Sequence, residues 1–330
     1  MASGKLSIGI LYESREKILR KWDHLPEDVL YHWREPEEID AVENALTHWG
    51  HGVSRIGDID GILHAWKNGD LPQLVWNLSV DVVSRNRTAL APAVLEQLGV
   101  PYTGADASFK TLLLNKDHFK PLLKHWGVLT PEWKTLQHPD ELDQHPPWKE
   151  FIVKPSCEGF SIGLKHFSRE DPLDSVRDHI SEVQSHLPCR MLIEEFIPGR
   201  EITLSAIDGV EAIGAAELAF EETTLSDRTV AGLEAKRYGL LSRQLVPDAD
   251  PMRVEGEAIV KRLMKNLYPL DYATFDFRIS PEGAMHLIDI NPDATLHPHR
   301  SFAQSFQLAG VDYAEIIRSI LNRARCRWGL

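Results

Sequence analysis

Across its first third the sequence alternates short apolar runs with helical stripes, and this alternation restricts the fold more than any other feature. Lys5–Tyr12, Val53–Ile56 and Leu74–Leu78 read as strands. Glu37–Gly50 carries Ile39, Val42, Leu46 and Trp49 on one stripe, and Thr88–Leu98 reads as a helix that ends at Gly99. Strands separated by helices pair in parallel, so the fold class is α/β with a parallel sheet at the start. The rest reads differently. Ser108–Gly127 is a helical tract in which Pro121 marks a kink or a fresh start. A Pro-rich surface loop, Gln137–Trp148, leads into a strand, Phe151–Pro155, a glycine-bearing turn, Cys157–Gly163, and a helix, Val176–Leu187. Strands follow at Met191–Phe196, Glu201–Ile207, Ala212–Leu218, Tyr272–Ile279 and Met285–Ile290. The segment from Glu221 to Asp250 is polar, with little periodicity, and a loop that long is usually functional or disordered. Met252–Leu267 reads as a helix with Val254, Ala258, Ile259, Leu263 and Leu267 on its buried face. The last helix starts at Asp312, with Glu315 three residues on.

Composition excludes several classes. Hydrophobic residues make up 43% and charged residues 26% of 330, which suits a folded chain of roughly two domains by length alone. The net charge of −13 argues against a nucleic-acid partner. No segment is long and apolar enough to span a membrane, and the start shows no secretory h-region. The three cysteines form no CxxC pair. These features point to a reducing, cytoplasmic setting.

Neither a GxxxxGK[ST] nor a GxGxxG signature occurs, and HExxH is also absent. What remains is a set of separated signals. FIVKP ends a strand on Lys154, and EGFSIG places Gly159 and Gly163 around Ser161. Such a turn presents backbone N–H groups to phosphate oxygens, and the lysine adds charge. FDFRI and HLIDIN carry Asp276, Asp289 and Asn291, oxygen donors of the kind Mg2+ takes while phosphates and water complete its shell. Strand-end carboxylates in solvent are the plainer alternative. His297 and His299 form an HxH pair with no third ligand spaced nearby, so a loop or substrate-contact role is preferred over zinc.

Taken in order, LGVPYTGADASFKTLLLNKDHFK, FIVKPSCEGFSIG, LIEEFIPGREITL, LEAKRY and YATFDFRISPEGAMHLIDIN resemble the ATP-grasp superfamily, in its D-alanine–D-alanine ligase-like branch. The resemblance covers roughly residues 70 to 325. It implies an N-terminal parallel-sheet domain (1–103) and central (104–192) and C-terminal (193–330) α+β domains that clamp ATP and Mg2+. By position it puts Lys116 and Lys154 on the nucleotide phosphates and makes 158–163 the phosphate-covering loop, with Gly159 in it and Ser161 as hydroxyl donor. It gives Glu194 to the adenine amino group, Phe196 and Ile197 to the adenine hinge and Glu201 to the ribose. It sends Lys236 to the γ-phosphate and assigns the metal to Asp276, Asp289 and Asn291. The implied activity is ATP-dependent ligation of a small-molecule acid and amine through an acyl phosphate. The implied setting is cytoplasmic, without nucleic acid or membrane, and a homodimer is compatible with it.

The substrate half departs from the family. The His-Gly and acidic loop after the third strand is replaced by the stretch Asn77–Arg87. The family's arginine two residues before the first metal Asp is Thr274, and the tyrosine after EAK is Arg237. Pro292-Asp293-Ala294-Thr295 replaces a Ser-Pro-Gly stretch. Two D-alanines are therefore not the expected substrates. Arg85, Arg87, Arg237, Arg300, His297 and His299 are candidates for a different acid or amino acid, with Arg237 and Arg300 as replacements for the missing cation. Two alternatives share the scaffold: a ligase forming an imine through a phosphorylated enol or ketone oxygen, and a non-catalytic ATP-binding regulator. The intact set of lysines and metal-type oxygens argues against the second.

Overall fold

The computed structural model describes residues 4–26, 29–82, 84–220 and 241–330. The chain begins with β1 (Ser7–Leu11), α1 (Arg15–Lys21), α2 (Pro36–His48), β2 (Gly52–Gly57), α3 (Ile59–Asn68), β3 (Leu74–Asn77) and α4 (Arg87–Gln97). Its three strands form a parallel sheet in the order β2-β1-β3, as the strand–helix alternation requires. Two helices follow, α5 (Ala107–Leu114) and α6 (Lys116–His125). A four-stranded antiparallel sheet comes next, from β4 (Trp133–Leu136), β5 (Glu150–Pro155), β6 (Lys165–Ser168) and β7 (Met191–Glu195), with α7 (Leu173–His186) between β6 and β7. The third sheet, also antiparallel, runs β10-β9-β8-β11-β12. Its strands are β8 (Arg200–Ile207), β9 (Gly214–Phe220), β10 (Leu241–Leu245), β11 (Tyr272–Ile279) and β12 (Met285–Asn291). Helix α8 (Pro251–Asn266) precedes β11, and α9 (Ser301–Leu308) and α10 (Tyr313–Trp328) close the chain.

Packing ties the sheets together. Leu113, Phe119 and Leu123 of α5 and α6 are buried in one core with Leu204, Phe275 and Phe277 of the third sheet. Ile316, Ile317 and Ile320 of α10 share a core with Ile8 and Ile10 of the first sheet and Ile39 and Val42 of α2. The C-terminal helix thus covers the N-terminal layer, and its N-cap is Asp312, which accepts from Ala314 N–H.

Several sequence expectations are corrected. The tract from 108 to 127 breaks at Asn115, not at Pro121. Asn115 leaves the helical region (φ −89°, ψ 84°), and its amide donates to the carbonyls of Arg85 and Thr111. Pro121 stays inside α6. On α8 the buried face runs through Arg253, Gly256, Val260, Leu263 and Met264, and Val254 is 59% exposed. Part of the polar 221–250 segment is strand: β10 pairs with β9. Helices α1, α3 and α9 and strands β4 and β6 were not expected.

Candidate active site

Side-chain alternation directs two sheets at one cleft. On β5, Phe151 and Val153 enter a core, which turns Ile152 and Lys154 the other way. Met191 and Ile193 of β7 do the same and leave Glu194 facing the cleft. From the opposite side, Ala273, Phe275, Phe277 and Ile279 of β11 are core, so Asp276 and Arg278 face outward.

Strict alternation on β12 would put Asp289 and Asn291 on the same face as buried Met285 and Leu287. A bulge prevents this. Asp276 pairs with Asp289 but Phe277 pairs with Leu287, so Ile288 is an extra residue and parity reverses. Ile290 becomes the core residue, and Ile288 and Asp289 line the cleft. Thr274 pairs with Asn291 one step along.

The cleft is lined by Lys116, Lys154, Gly159, Ser161, Glu194, Phe196, Ile197, Glu201, Asp276 and Asp289. Glu194 is fully enclosed, and its two oxygens meet Lys154 Nζ at 2.9 Å and Lys120 Nζ at 2.8 Å. Burial alone would push this carboxyl up, but the two ammonium groups outweigh it and hold it below the usual carboxylate range. Lys116 Nζ donates to the Glu158 carbonyl (2.8 Å) and lies 3.2 Å from Asp289 Oδ1. Asp276 Oδ1 accepts from the Thr203 hydroxyl (2.6 Å). Arg278 donates to Glu201 (3.0 Å) and sits 4.8 Å over the Phe196 ring. In the turn, Phe160 (φ 54°) and Ser161 (φ 64°) take the left-handed conformation as well as Gly163, and Gly159 does not. A buried triad fixes the turn: Glu158 accepts from Arg87 (2.9 Å) and meets His32 at 3.0 Å.

The D-ala D-ala ligase C-terminus family profile matches residues 122–322, more than half of the chain. The chain belongs to that family. It is 26% identical over 291 residues to the D-alanine–D-alanine ligase of Aquifex aeolicus, covering 86% of this chain and 92% of that one. It is 25% identical over 313 residues to an uncharacterized protein of Sinorhizobium fredii, covering 90% of each. Among solved structures, the D-alanine–D-alanine ligase of Bacillus anthracis complexed with ATP superimposes with a TM-score of 0.71 at 16% identity over 98% of each chain. The VanG D-Ala:D-Ser ligase of Enterococcus faecalis does so with 0.69 at 15% identity, over 97% of this chain and all of that one. The fold is thus the ATP-grasp architecture of the D-Ala–D-Ala ligase family.

A second cavity adjoins the first. It shares Phe160, Asp276 and Asp289 with the first cleft and continues past Asn291 and Thr274 to Arg243, His297, His299 and Arg300. Tyr31, Trp33 and Phe302 form apolar parts of its wall. His299 N–H donates to His297 Nδ1 (3.1 Å), which makes the HxH pair a turn. Among the described residues no group of three or more His, Cys, Asp or Glu side chains is arranged to hold a metal. Arg87 is spent in the Glu158 triad, and Arg85 is exposed and lines neither cavity. Lys236 and Arg237 lie outside the described residues.

Sequence reading missed Lys120, Arg278, Arg243, Tyr31 and Trp33. Lys120 was available, one helical turn beyond Lys116, and Arg278 is two residues from Asp276 on the same strand face. No local signal marks the other three. None of the described helices is long and apolar enough to cross a membrane.

Proposed function

We propose that this chain is an ATP-dependent carboxylate–amine ligase joining small molecules such as amino acids, and that two D-alanines are not its substrates. The observation that carries this is the cleft where Lys116, Lys154 and the 158–163 turn meet Asp276 and Asp289, opening directly on a second cavity. The family and the ATP complex of its Bacillus anthracis relative support placing the nucleotide in the first cleft.

A carboxylate oxygen is a poor leaving group, so an amine does not displace it directly. Moving the γ-phosphoryl group onto that oxygen gives an acyl phosphate, from which the amine expels phosphate. Lys154, held by Glu194, and Lys116, held by the Glu158 carbonyl, present fixed positive charge to the phosphates. Ser161 and the N–H groups of its turn lie against the same phosphates. Glu201, braced by Arg278, takes the ribose hydroxyls, and Phe196 and Ile197 flank the adenine. Asp276, Asp289 and Asn291 fit Mg2+, because the set is all oxygen and too small to complete an octahedron without phosphate and water. Bound there, the ion supplies charge neutralisation at the phosphate oxygens. Phe160 spans both cavities and helps to keep water from the activated acyl group.

The substrates differ from two D-alanines because Thr274 cannot offer a cationic fork to a developing oxyanion. Arg300 and Arg243 border the same cavity. The test is an acid–amine pair screen for ADP release, with product masses determined. ADP release with some pair, and little with D-alanine as the only amino acid, is the expected result. Robust release with D-alanine alone overturns the substrate assignment, and silence with every pair overturns the ligase reading.

A further inference from the structure

The second cavity is larger than the first, about 1630 Å3 against about 840 Å3 when the space at each mouth is counted. Its lining holds two kinds of group. Arg243 and Arg300 line the wall together with Thr274, which brings a hydroxyl but no charge. Arg243 Nη1 is aimed there by a bond to Gln304 Oε1 (3.3 Å). Burial pulls the Arg243 guanidinium down from its ordinary value; Asp276 opposes this, and the Arg300 charge adds to it. A planar carboxylate matches the fork of a guanidinium group, and this wall offers two of them. Also on this wall, Tyr31 meets Trp33 edge-on, with centroids 4.8 Å apart, and meets Phe160 at 6.5 Å. These half-buried rings form a wall that a methyl group cannot cover and a flat apolar side chain can.

We infer that this cavity takes an amine substrate bearing a free carboxylate and a bulky, flat apolar side chain, the carboxylate held by Arg243 and Arg300 and the side chain by Tyr31, Trp33 and Phe160. The inference rests on the ligase reading for the reaction the cavity serves. It makes the segment around Tyr31 and Trp33, outside the ATP-facing elements, a determinant of specificity. The amine of such a substrate points back toward Asp276 and Asp289, where the acyl group is activated. Phe160 couples the two steps, because the ring that touches the side chain sits in the turn over the phosphates.

The test uses the full chain with Mg2+ and a non-hydrolysable ATP analogue. Calorimetry compares phenylalanine and tryptophan in both enantiomers, alanine, and phenylalaninamide, and ADP release with ATP is measured in parallel. An aromatic amino acid is expected to bind about tenfold or more tighter than alanine, and phenylalaninamide about tenfold or more weaker than its acid. Trp33→Ala is expected to abolish the preference for bulk. Arg243→Gln is expected to abolish discrimination against the amide, with partial rescue by Arg243→Lys. Equal or tighter binding of alanine, equal binding of the amide, or no binding by any panel member overturns the inference. ADP release with small amino acids alone also overturns it and leaves the ligase reading standing. Selective binding with no ADP release under any pairing upholds the cavity assignment and removes the ligase reading instead.

Discussion

Glu194 shows how one residue organises the cleft. It is enclosed with two lysines, so removing it leaves two ammonium groups buried without a counter-ion. Glu194→Ala is therefore expected to destabilise the fold by about 3–5 kcal/mol, read as a shift in the urea unfolding midpoint. The pH dependence follows from the same geometry. The folded carboxyl titrates below its unfolded value of 4.5, so its contribution is fully present above that pH and is lost as pH falls through the folded value. The gap between wild type and variant is expected to hold from pH 8 down to about 5 and to narrow below about 4.5. A gap constant down to acid unfolding would count against the ion triad. Lys154 was legible in sequence as the end of an apolar strand, and Glu194 through the family resemblance. Tyr31, Trp33 and Arg243 were not, since only the tertiary fold brings those two stretches of chain to one wall.

Among the elements, strand parity does most to build the site. The bulge at Ile288 turns Asp289 and Asn291 out of the core, and sequence alternation alone would have placed both inward. The sequence signal for these residues was chemical, acid and amide groups in an apolar run, and the structural device was not readable beside it. The break at Asn115 has a similar cause. Proline is the visible breaker in that tract, whereas the actual break depends on an amide reaching the Arg85 carbonyl, thirty residues away in sequence. Short elements such as α1, with Ile18 as its buried residue, and the four-residue β6 carry too little periodicity to detect. The turn from β7 into β8 beside the cleft is tightly constrained. Gly199 has φ 116°, and a Cβ there would lie 2.1 Å from the Ile279 carbonyl oxygen. Gly199→Ala must push β8 and β11 apart next to Phe196 and Glu201. It is expected to cost about 1–3 kcal/mol in thermal or urea unfolding and to weaken nucleotide binding in the same variant. Unchanged stability and affinity would show that the connection yields more easily than the backbone contact implies.

For the whole molecule, three sheets and two shared cores place two cavities side by side. The order of motifs already identified the family architecture, because lysines, turn and metal-type oxygens must converge for phosphoryl transfer. The second cavity was legible in part: Thr274, His297, His299 and Arg300 stood out in the sequence and line it. Its wall also draws on Tyr31, Trp33 and Arg243, which only the tertiary fold brings beside Arg300.

The central claim, that phosphoryl transfer is organised where Asp289 meets Lys116, is tested most directly by turnover of Asp289→Ala. The assay is ADP formation from ATP and Mg2+ with an active acid–amine pair, beside a thermal melt that checks folding. Asp289 is partly exposed and sits at a cleft wall, so the variant is expected to fold. The account predicts a loss of about a hundredfold or more in turnover with the melt largely preserved. Near-normal turnover in the folded variant would contradict it.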